Sequence, residues 1–505
     1  MAPLAGPWRR PLRHAGRKRG HPGQQMPTKD PSRLKRYEAL AAELTASISG
    51  GVLRPGDRLP SVRQVRSSRS LSASTVFQAY YLMEARGLIR ARERSGYYVA
   101  DTAAPKALPP EPDTPSTPGE AAVSLAVSDH VFEILESTMV RDVVPLGSAF
   151  PSPLLFPLQR LGRVMAATVQ KLDPWSTVDD LTPGHARLRR QIALRYLADG
   201  IHVPTEEIVI TSGALDALNL CLTVATRPGD AVLIESPCFY AALQALERLG
   251  LEAIEVPTHP CEGMELEALE RAIQRHGPKA CWLMTNFQNP LGGSMPEAKK
   301  KALVALLTRH GVALIEDDVY GELYFGDRRP VPAKAFDTEG LVMHCSSFSK
   351  SLAPGYRIGW AMPGRFTQQV ARMKLNTTLT ASAPAQAGLA TYLEKGGYDK
   401  HLRRLRHTLE SQQAGLVAAI ARSFPAHIQL SQPGGGYFLW VEFAPGFDTL
   451  ALHQQALAQG ISIAPGPMFS AHQGFRNCIR LNYGHPWDAQ MEAAVATLGS
   501  LAKNL

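Results

Sequence analysis

The chain has 505 residues, more than a single domain of ~100–200 residues holds, which predicts at least two compact units. Apolar residues make up 45% and charged residues 20%, a balance that excludes a largely disordered chain. No apolar run reaches the ~20 residues of a membrane-spanning helix, and no apolar segment of a secretory signal follows the basic N-terminus. The six cysteines are scattered and the histidines are not clustered. This pattern predicts no disulfide framework and no metal site, and it indicates a reducing, cytoplasmic location.

The charge is unevenly distributed along the chain. Residues 1–100 hold 19 Lys/Arg against 6 Asp/Glu, whereas residues 101–505 hold 35 against 39. The basic N-terminal part, here called the head, is therefore expected to bind a polyanion, and the mildly acidic remainder, here called the body, is not. Residues 1–30 are basic and rich in Pro and Gly without periodicity, so they are predicted to be a disordered tail.

The predicted elements of the head follow one another closely. Apolar residues at helical spacing from Leu34 to Ile48 predict a first helix, which Gly50-Gly51 ends. A loop over 53–60 leads to a short second helix from Ser61. A third helix begins near 72–75 and ends at Gly87, and it is expected to bury Val76, Ala79, Tyr80 and Met83. Strands at 88–92 and 97–99, joined by a turn at 94–96, complete a winged helix-turn-helix.

Residues 31–100 resemble the DNA-binding domain of the GntR family. The resemblance is carried by R-P-G-D-R-L-P-S-V-R at 54–63, S-T-V at 74–76 and G-L-I-R-A-R-E-R-S-G-Y-Y-V at 87–99. It implies contacts with double-stranded operator DNA from the second helix, the start of the third helix and the wing: Arg63, Ser72, Ser74, Thr75, Arg94, Ser95 and Gly96. Many relatives carry an arginine where this chain has Ala73, so one DNA contact is expected to be missing. The alternative is a winged helix used only for protein contacts.

A Pro-rich segment separates the head from the rest of the chain. Residues 101–123 contain six prolines and little apolar content, which predicts an extended, semi-rigid tether outside any core. Beyond it, apolar runs of strand length alternate with helical stretches, at 207–211, 231–235, 281–285, 313–316 and 341–345. Such a pattern predicts a mostly parallel sheet covered on both faces, in which ligands bind beyond the carboxyl ends of the strands.

The polar residues after three of these strands favour one kind of cofactor. Lys350 stands among Ser347, Ser349 and Arg357, a set that suits an aldehyde carrying a phosphate, with the amine bonding the aldehyde. A carboxylate in Asp317-Asp318 can keep a pyridine nitrogen protonated. The amide-rich segment 286–292 can hydrogen-bond a phenolate oxygen. Singly, each motif is more often a surface charge, a helix cap or a turn.

From about residue 140 to the end, the chain resembles the fold-type I, aspartate-aminotransferase-like enzymes that use pyridoxal 5′-phosphate (PLP). The resemblance implies a body over 124–505, with a large part at about 165–385 and a smaller C-terminal α/β part mainly at 386–505. It makes Lys350 the catalytic lysine that bonds the cofactor. It also assigns cofactor-binding roles to Asp317 on the pyridine nitrogen, Tyr320 and Asn289 on the ring oxygen, Ser347, Ser349 and Arg357 on the phosphate, and Phe239 stacked on the ring. Arg480 becomes the clamp for a substrate carboxylate, a bidentate task suited to guanidinium.

Two positions depart from the family pattern. At the phosphate-binding turn, Gly213 and Ala214 offer mainly backbone N–H groups where relatives often have a hydroxyl and an amide. The tyrosine that often precedes the glycine near 184 is absent, with Asp179 near its place. Both departures argue against efficient transamination and leave cofactor binding intact.

The order of the three parts resembles the MocR family of bacterial transcriptional regulators over residues 33–505. This resemblance implies a head-to-tail homodimer that senses PLP, or a PLP–amino acid aldimine, and regulates transcription. The alternative is an active aminotransferase with an accessory DNA-binding domain, which Lys350, Asp317 and Arg480 keep open. The basic head favours the regulator, because an enzyme alone has no use for it.

Overall fold

The computed structural model describes residues 36–85, 88–92, 96–100, 108–137, 143–179 and 183–505. Two compact units divide the chain, a head up to Met83 together with Ile89–Val99, and a body that includes Ala100–Leu505. The predicted tail at 1–30 and the predicted DNA contacts Arg94 and Ser95 lie outside the described residues. Among the residues that are described, no helix is long and apolar enough to cross a membrane.

The head has the three helices and two strands that the sequence predicts: α1 (Arg36–Ser49), α2 (Val62–Arg69), α3 (Ala73–Ala85), β1 (Ile89–Arg92) and β2 (Gly96–Val99). Ser61 begins α2 with a capping box, because its hydroxyl accepts from Gln64 N at 3.2 Å while the Gln64 side chain accepts from Ser61 N at 2.8 Å. The four apolar residues predicted for the inner face of α3 are all buried. The strands pair antiparallel, with Ile89 opposite Val99, as expected of a wing.

The first half of the body alternates strands and helices in chain order. Its elements are β3 (Val123–Ser124), α4 (Ser128–Ser137), β4 (Val144–Pro145), α5 (Leu158–Val169), α6 (Ser176–Asp179), α7 (Ala186–Ala198), β5 (Val209–Thr211), α8 (Ala214–Ala225), β6 (Ala231–Ser236), α9 (Tyr240–Arg248), β7 (Glu252–His259), β8 (Gly263–Met264), α10 (Leu266–His276), β9 (Ala280–Leu283), α11 (Glu297–His310) and β10 (Ala313–Asp317).

The second half contains the remaining strands of the main sheet and a smaller antiparallel sheet. Its elements are β11 (Val342–Ser347), β12 (Gly359–Met362), α12 (Thr367–Thr377), α13 (Ala383–Glu394), α14 (Gly397–Ser423), β13 (Gln429–Leu430), β14 (Phe438–Glu442), α15 (Thr449–Ala458), β15 (Ile461–Ser462), β16 (Ala464–Pro465), β17 (Cys478–Asn482) and α16 (Ala489–Asn504).

The main sheet positions the candidate site. Its strand order is β3-β7-β6-β9-β10-β11-β12-β5, with β8 paired to β7, and the neighbours from β7 to β11 are parallel. The five predicted apolar runs correspond to β5, β6, β9, β10 and β11 within two residues at each end, and these strands are buried. β12 runs antiparallel to both of its neighbours, so the sheet is mixed.

A second sheet of order β13-β14-β17-β16 lies in the C-terminal part of the body. All of its neighbouring strands are antiparallel, and Trp440 on β14 is opposite Arg480 on β17. β4 pairs in parallel with β15, which brings the segment around residue 145 to the C-terminal part. This pairing carries the next residues, 147–150, toward the candidate site.

The Pro-rich segment differs from the predicted tether over residues 108–123. We call residues 108–122 the strap, because they are hydrogen-bonded to the body and lead into β3 on the edge of the main sheet. Pro110 O accepts from Leu430 N at 2.9 Å, and Glu120 forms an ion pair with Arg275. An extended Pro-rich backbone makes no internal hydrogen bonds, so its carbonyl and N–H groups are available to a neighbouring surface. The composition gave no sign of this attachment, because the bonds are made largely by backbone groups.

Ser116 is the point of the strap with the most direct hydrogen bonds to the main sheet. Its hydroxyl donates to Ser236 O at 2.6 Å and accepts from Thr258 N at 3.0 Å. We expect Ser116→Ala to lower the free energy of unfolding of the body by ~1–3 kcal/mol, because two polar backbone groups lose a partner. Thermal unfolding of the full chain measures this, with Thr117→Ala, an exposed neighbour on the strap, as the matched control. Equal melting temperatures for the two variants would contradict a structural role for Ser116.

Candidate cofactor site and nucleic-acid interface

The carboxyl ends of three parallel strands bring the predicted site residues of the body together. Asp317 is the last residue of β10, and its register partner on β11 is Cys345, two residues before Ser347. The segment after β9 contributes Asn289, which is 1% exposed. Because parallel strands end at one edge of the sheet, their following residues share one pocket.

Lys350 and Asp317 act on each other's ionisation. Burial lowers the pKa of Lys350 to about 7, an effect that the positive charge of Arg480 increases and the carboxylate of Asp317 opposes. Burial also raises the pKa of Asp317 to about 7, and the negative charge of Asp318 adds to this. The Lys350 ammonium donates to Ala149 O at 2.8 Å and lies 3.8 Å above the centre of the Phe150 ring. A lysine with a pKa near 7 holds a large fraction of neutral, nucleophilic amine at physiological pH.

Arg480 is completely buried, which is costly for a guanidinium and indicates a functional group. It donates to Asn289 Oδ1 at 2.8 Å and to Gly147 O at 2.7 Å, and it lies 4.2 Å from the centre of the Phe438 ring. Arg480 and Asn289 were predicted from separate motifs, so their hydrogen bond joins two parts of the predicted site. A carboxylate that reached Arg480 would replace these two acceptors in a bidentate pair.

Three buried polar atoms of this pocket lack a hydrogen-bond partner among the described residues: Asp317 Oδ1, Asn289 Nδ2 and Arg480 Nε. An unsatisfied buried polar atom costs ~1–3 kcal/mol, so three in one pocket indicate a site built for a bound group. Asp317 Oδ1 can accept a hydrogen bond from a ligand, and Asn289 Nδ2 can donate one. A ring with a protonated nitrogen and a phenolate oxygen, placed beside the amine of Lys350, fits this set.

An anion-binding turn lies at the start of α8. Arg357 donates to Ser349 Oγ at 3.2 Å and to Ser212 O at 3.3 Å, and Ser347 Oγ accepts from Ser349 N at 3.3 Å. Gly213 begins α8 with φ of +100°, and a Cβ on it would lie 2.3 Å from Arg357 Nη2, so only glycine lets the guanidinium approach. The backbone N–H groups at the start of the helix, from Ala214 onward, add positive potential. These residues together can hold a phosphate.

The two aromatic residues that were predicted to contact the cofactor differ in burial. Tyr320 is buried, and its ring meets those of Tyr437 and Phe438 edge-on at 5.3 and 5.7 Å. Phe239 precedes α9 at the end of β6 and packs against Tyr240 at 4.8 Å, with part of its ring accessible. Their predicted roles, a hydrogen bond to the ring oxygen and a stacking contact, stay predictions.

The sequence analysis missed residues 147–150 and the partners of two carboxylates. Gly147 and Ala149 accept from Arg480 and Lys350 through their backbone carbonyls, which leave no signature in side chains. On the other face of β10, Glu316 accepts from His344 Nδ1 at 2.8 Å, and Arg329 pairs with Asp318 at 2.7 Å. An acidic run on a buried strand is the signal that could have predicted cationic partners.

The predicted DNA contacts that are described lie on the surface of the head. Arg63 is exposed on α2. At the start of α3, Ser72 Oγ lies 2.8 Å from Ser74 Oγ and 2.7 Å from Thr75 Oγ1, and it also accepts from Thr75 N. Gly96 begins β2 with φ of +109°, as a tight wing requires. A cluster of hydroxyls at a helix N-terminus and an exposed arginine on the preceding helix each suit contacts with a phosphate backbone.

Comparison with known proteins agrees with both units. The family model for bacterial regulatory proteins of the GntR family matches residues 36–99, and that for aminotransferase class I and II matches residues 179–498. The HTH-type transcriptional regulator YdcR of Escherichia coli is 47% identical over 468 residues, which cover 93% of this chain and 99% of the relative. The fold and the site therefore define a DNA-binding regulator with a PLP-binding domain. The chain belongs to the MocR-type regulators, in which a GntR-family domain precedes an aminotransferase class I and II domain.

Solved structures agree on the body. The kynurenine aminotransferase of Pyrococcus horikoshii, in complex with PMP, is 30% identical with a TM-score of 0.69, covering 74% of this chain and 94% of that one. The α-aminoadipate aminotransferase LysN of Thermus thermophilus, complexed with N-(5′-phosphopyridoxyl)-L-leucine, is 28% identical with a TM-score of 0.67, covering 75% and 99%. PLP is the cofactor of this domain, and when bound it supplies an electron-withdrawing ring beside a reactive carbonyl.

The residues of the pocket fit this cofactor. Asp317 would hold the proton on the ring nitrogen, and Asn289 Nδ2 would donate to the ring oxygen. Arg357, Ser349 and the start of α8 would hold the phosphate. Lys350 would supply the amine, and the pKa of about 7 keeps part of it unprotonated.

Removing the charge of Asp317 should change how stability depends on pH in the cofactor-free protein. Because burial raises its pKa from 3.8 to about 7, Asp317 destabilises the fold increasingly as the pH rises from about 4 to about 7. We expect Asp317→Asn to stabilise the protein relative to wild type by an amount that grows by on the order of 2 kcal/mol between pH 5.5 and pH 8. The same variant should gain less thermal stability from PLP. A pH-independent difference between the two proteins, measured by thermal unfolding, would contradict the raised pKa.

Arg63 should contribute to DNA binding far more than Arg69, although both are arginines of α2. Arg63 is exposed, whereas Arg69 forms an ion pair with Glu43. On an operator found by in vitro selection, Arg63→Ala should weaken binding by ~1–3 kcal/mol, and Arg69→Ala should have a smaller effect. Affinity of the full chain should also fall steeply as salt rises, because binding releases counterions. Gel-shift titrations at two salt concentrations check both expectations, and affinity that ignored salt would contradict the nucleic-acid interface.

Proposed function

We propose that the protein is a sequence-specific transcriptional regulator whose body senses PLP, or a PLP–amino acid aldimine, and thereby alters operator binding. The observation that carries the proposal is the set of three unsatisfied buried atoms around Lys350 in a chain that also has a GntR-type head. A site that is costly to keep without its ligand gains most from binding it. The part of that gain that differs between two states of the protein is what can shift the balance between them.

The strap is part of the Pro-rich segment that follows the head in the sequence, and it is hydrogen-bonded to the body near the predicted cofactor site. Ser116 is hydrogen-bonded to Ser236 O at the end of β6, three residues before Phe239. If Phe239 stacks on the cofactor ring, cofactor binding and strap docking share this end of β6. We propose that cofactor binding affects the DNA-binding head through the strap at this point.

The proposal includes the assembly and location of the regulator. We expect a head-to-tail homodimer in the cytoplasm, bound to double-stranded operator DNA, as in the MocR family. Light scattering of the full chain at micromolar concentration checks the dimer.

Active transamination is the second candidate function, and Arg480 is the observation that favours it. A completely buried arginine beside the cofactor lysine suits the carboxylate of an amino acid. Under the regulatory proposal the same residue would bind an amino acid effector, so the presence of Arg480 is compatible with both functions. Product formation from amino acid and keto acid by the PLP-loaded protein distinguishes them.

Linkage gives the regulatory proposal a quantitative test. PLP should change operator affinity, and operator DNA should change PLP affinity by the same factor, 5–150-fold for a coupling of ~1–3 kcal/mol. Lys350→Ala should reduce this factor while salt-dependent, non-specific DNA binding stays at the wild-type level, because Lys350 belongs to the body. Titrations of operator into PLP-free and PLP-loaded proteins measure the factor.

Arg480→Gln separates the two versions of the proposal. If PLP alone is the signal, this variant should couple nearly as wild type does. If an amino acid takes part, the variant should lose the response to added amino acid and keep the response to PLP. Equal operator affinity in all ligand states of the wild-type protein would leave aminotransferase activity as the better account.

A further inference from the structure

A second cavity in the body, apart from the cofactor pocket, is lined by several basic residues. It has a volume of about 420 Å³ and lies among α5, the end of α13 and the start of α14. Four exposed basic residues line it, Arg160, Arg163, Lys400 and Arg404. Among the described residues that line the cavity there is no Asp or Glu. Residues 101–505 include more acidic than basic residues, so this basic cluster has the opposite sign to the net charge of the body.

The four cations come from two helices, α5 and α14, and all of them line this cavity. Arg160 and Arg163 are three residues apart on α5, and Lys400 and Arg404 are four apart on α14, spacings that put each pair on one helix face. The Arg160 guanidinium lies 5.8 Å from the centre of the Tyr392 ring, and a Cβ on Gly397 would lie 3.0 Å from Arg160 Cζ. Burial raises the pKa of Tyr392, while the positive charges of Arg160 and Arg404 both act to lower it. Two arginines from different helices therefore act on one hydroxyl.

Two buried side chains lining the cavity have a polar atom without a hydrogen-bond partner in the described structure. Tyr392 is 1% exposed and its hydroxyl is unpaired, and His401 is 5% exposed with Nδ1 unpaired. His401 Nε2 lies 2.8 Å from Ser351 O, and a carbonyl can only accept, so Nε2 carries the hydrogen. Burial lowers the pKa of His401 to about 4, with the charge of Arg404 adding to this. Nδ1 is therefore an unpaired acceptor near pH 7, in the field of the Arg404 charge.

We propose that this cavity binds a phosphate group that also presents a hydrogen-bond donor, either hydrogen phosphate or a small phosphate monoester with a neighbouring hydroxyl. The four cations favour an anion that carries two negative charges over one that carries a single charge, and Tyr392 Oη adds a hydrogen-bond donor. His401 Nδ1 can be satisfied only by a ligand that donates, which hydrogen phosphate does and sulfate does not. The site is separate from the cofactor pocket, and His401 is hydrogen-bonded to the residue after Lys350.

Titration calorimetry on the full-length protein tests the proposal. The protein is loaded with PLP so that the cofactor pocket is filled, and inorganic phosphate, glycerol 3-phosphate and sulfate are compared at pH 7.5 and constant ionic strength. We expect phosphate or glycerol 3-phosphate to bind at least about tenfold more tightly than sulfate, ~1.4 kcal/mol. Whichever of the two binds more tightly identifies the free ion or the monoester.

Variants locate the binding in this cavity. Arg404→Gln should weaken phosphate binding about tenfold or more, and Tyr392→Phe should weaken it less. The matched control is Arg403→Gln, since Arg403 is the exposed neighbour on α14 that does not line the cavity. Melting curves check that each variant folds.

Three outcomes would overturn the proposal. They are no saturable phosphate binding, an equal loss in the Arg403 and Arg404 variants, or sulfate binding as tightly as phosphate. Competition by duplex DNA together with equal sulfate and phosphate affinity would mean a general polyanion surface instead.

Discussion

The burial of Lys350, Asp317 and Arg480 in one pocket, beyond the carboxyl ends of the parallel strands of the main sheet, is the constraint on which the rest of the body depends. Each group would be charged in water, and each loses hydration in the pocket. The attraction between Lys350 and Asp317 offsets only part of that loss, and the charge of Arg480 adds to the shift of Lys350, so Asp317 and Lys350 both move to a pKa of about 7. The pocket is thus costly without a bound group, and a PLP molecule would supply the partners that its unsatisfied atoms lack.

Alternation along β10 lets three consecutive carboxylates coexist in a buried strand. Successive side chains of a strand point to opposite faces, so Asp317 lies on one face and Glu316 and Asp318 on the other. Glu316 has His344, which keeps its pKa below the ordinary value although burial alone would raise it, and Asp318 has Arg329. Among the described residues, Asp317 has no such side-chain partner, and its Oδ1 has no hydrogen bond. The neighbouring carboxylates are thus already paired, and Asp317 is the one that would be available to a cofactor.

Two features connect this pocket with more distant parts of the body. The strap reaches the end of β6 through Ser116, and the basic cavity reaches the lysine segment through the hydrogen bond from His401 to Ser351 O. Both hydrogen bonds are made to segments next to predicted pocket residues: Ser236 is three residues before Phe239, and Ser351 follows Lys350. Hydrogen bonds are short and directional, so a small displacement of either segment would weaken them. A domain that senses a ligand requires contacts that respond to such displacements.

The sequence by itself determined the helices and wing of the head, the five buried strands and the residues that follow them. Continuous apolar runs, capping residues such as Ser61 and motif spacing are local signals, and for that reason they can be interpreted without a structure. Four of the nine strands of the main sheet were missed, the two-residue strands β3 and β8 and the longer strands β7 and β12. β7 mixes Glu252 and Glu255 with apolar residues, and β12 overlaps the lysine motif, where Gly359 obscures the strand pattern.

Only the tertiary structure decided which groups meet. The hydrogen bond between Asn289 and Arg480 joins residues 191 positions apart, and the contacts of Gly147 and Ala149 use backbone carbonyls that every residue has. The attachment of the strap and the convergence of Arg160 with Arg404 likewise depend on neighbours distant in the sequence. Local chemistry fixes the elements and the kind of cofactor. The partners, the burial and hence the pKa values arise from packing, because a side chain's electrostatic environment belongs to the folded chain.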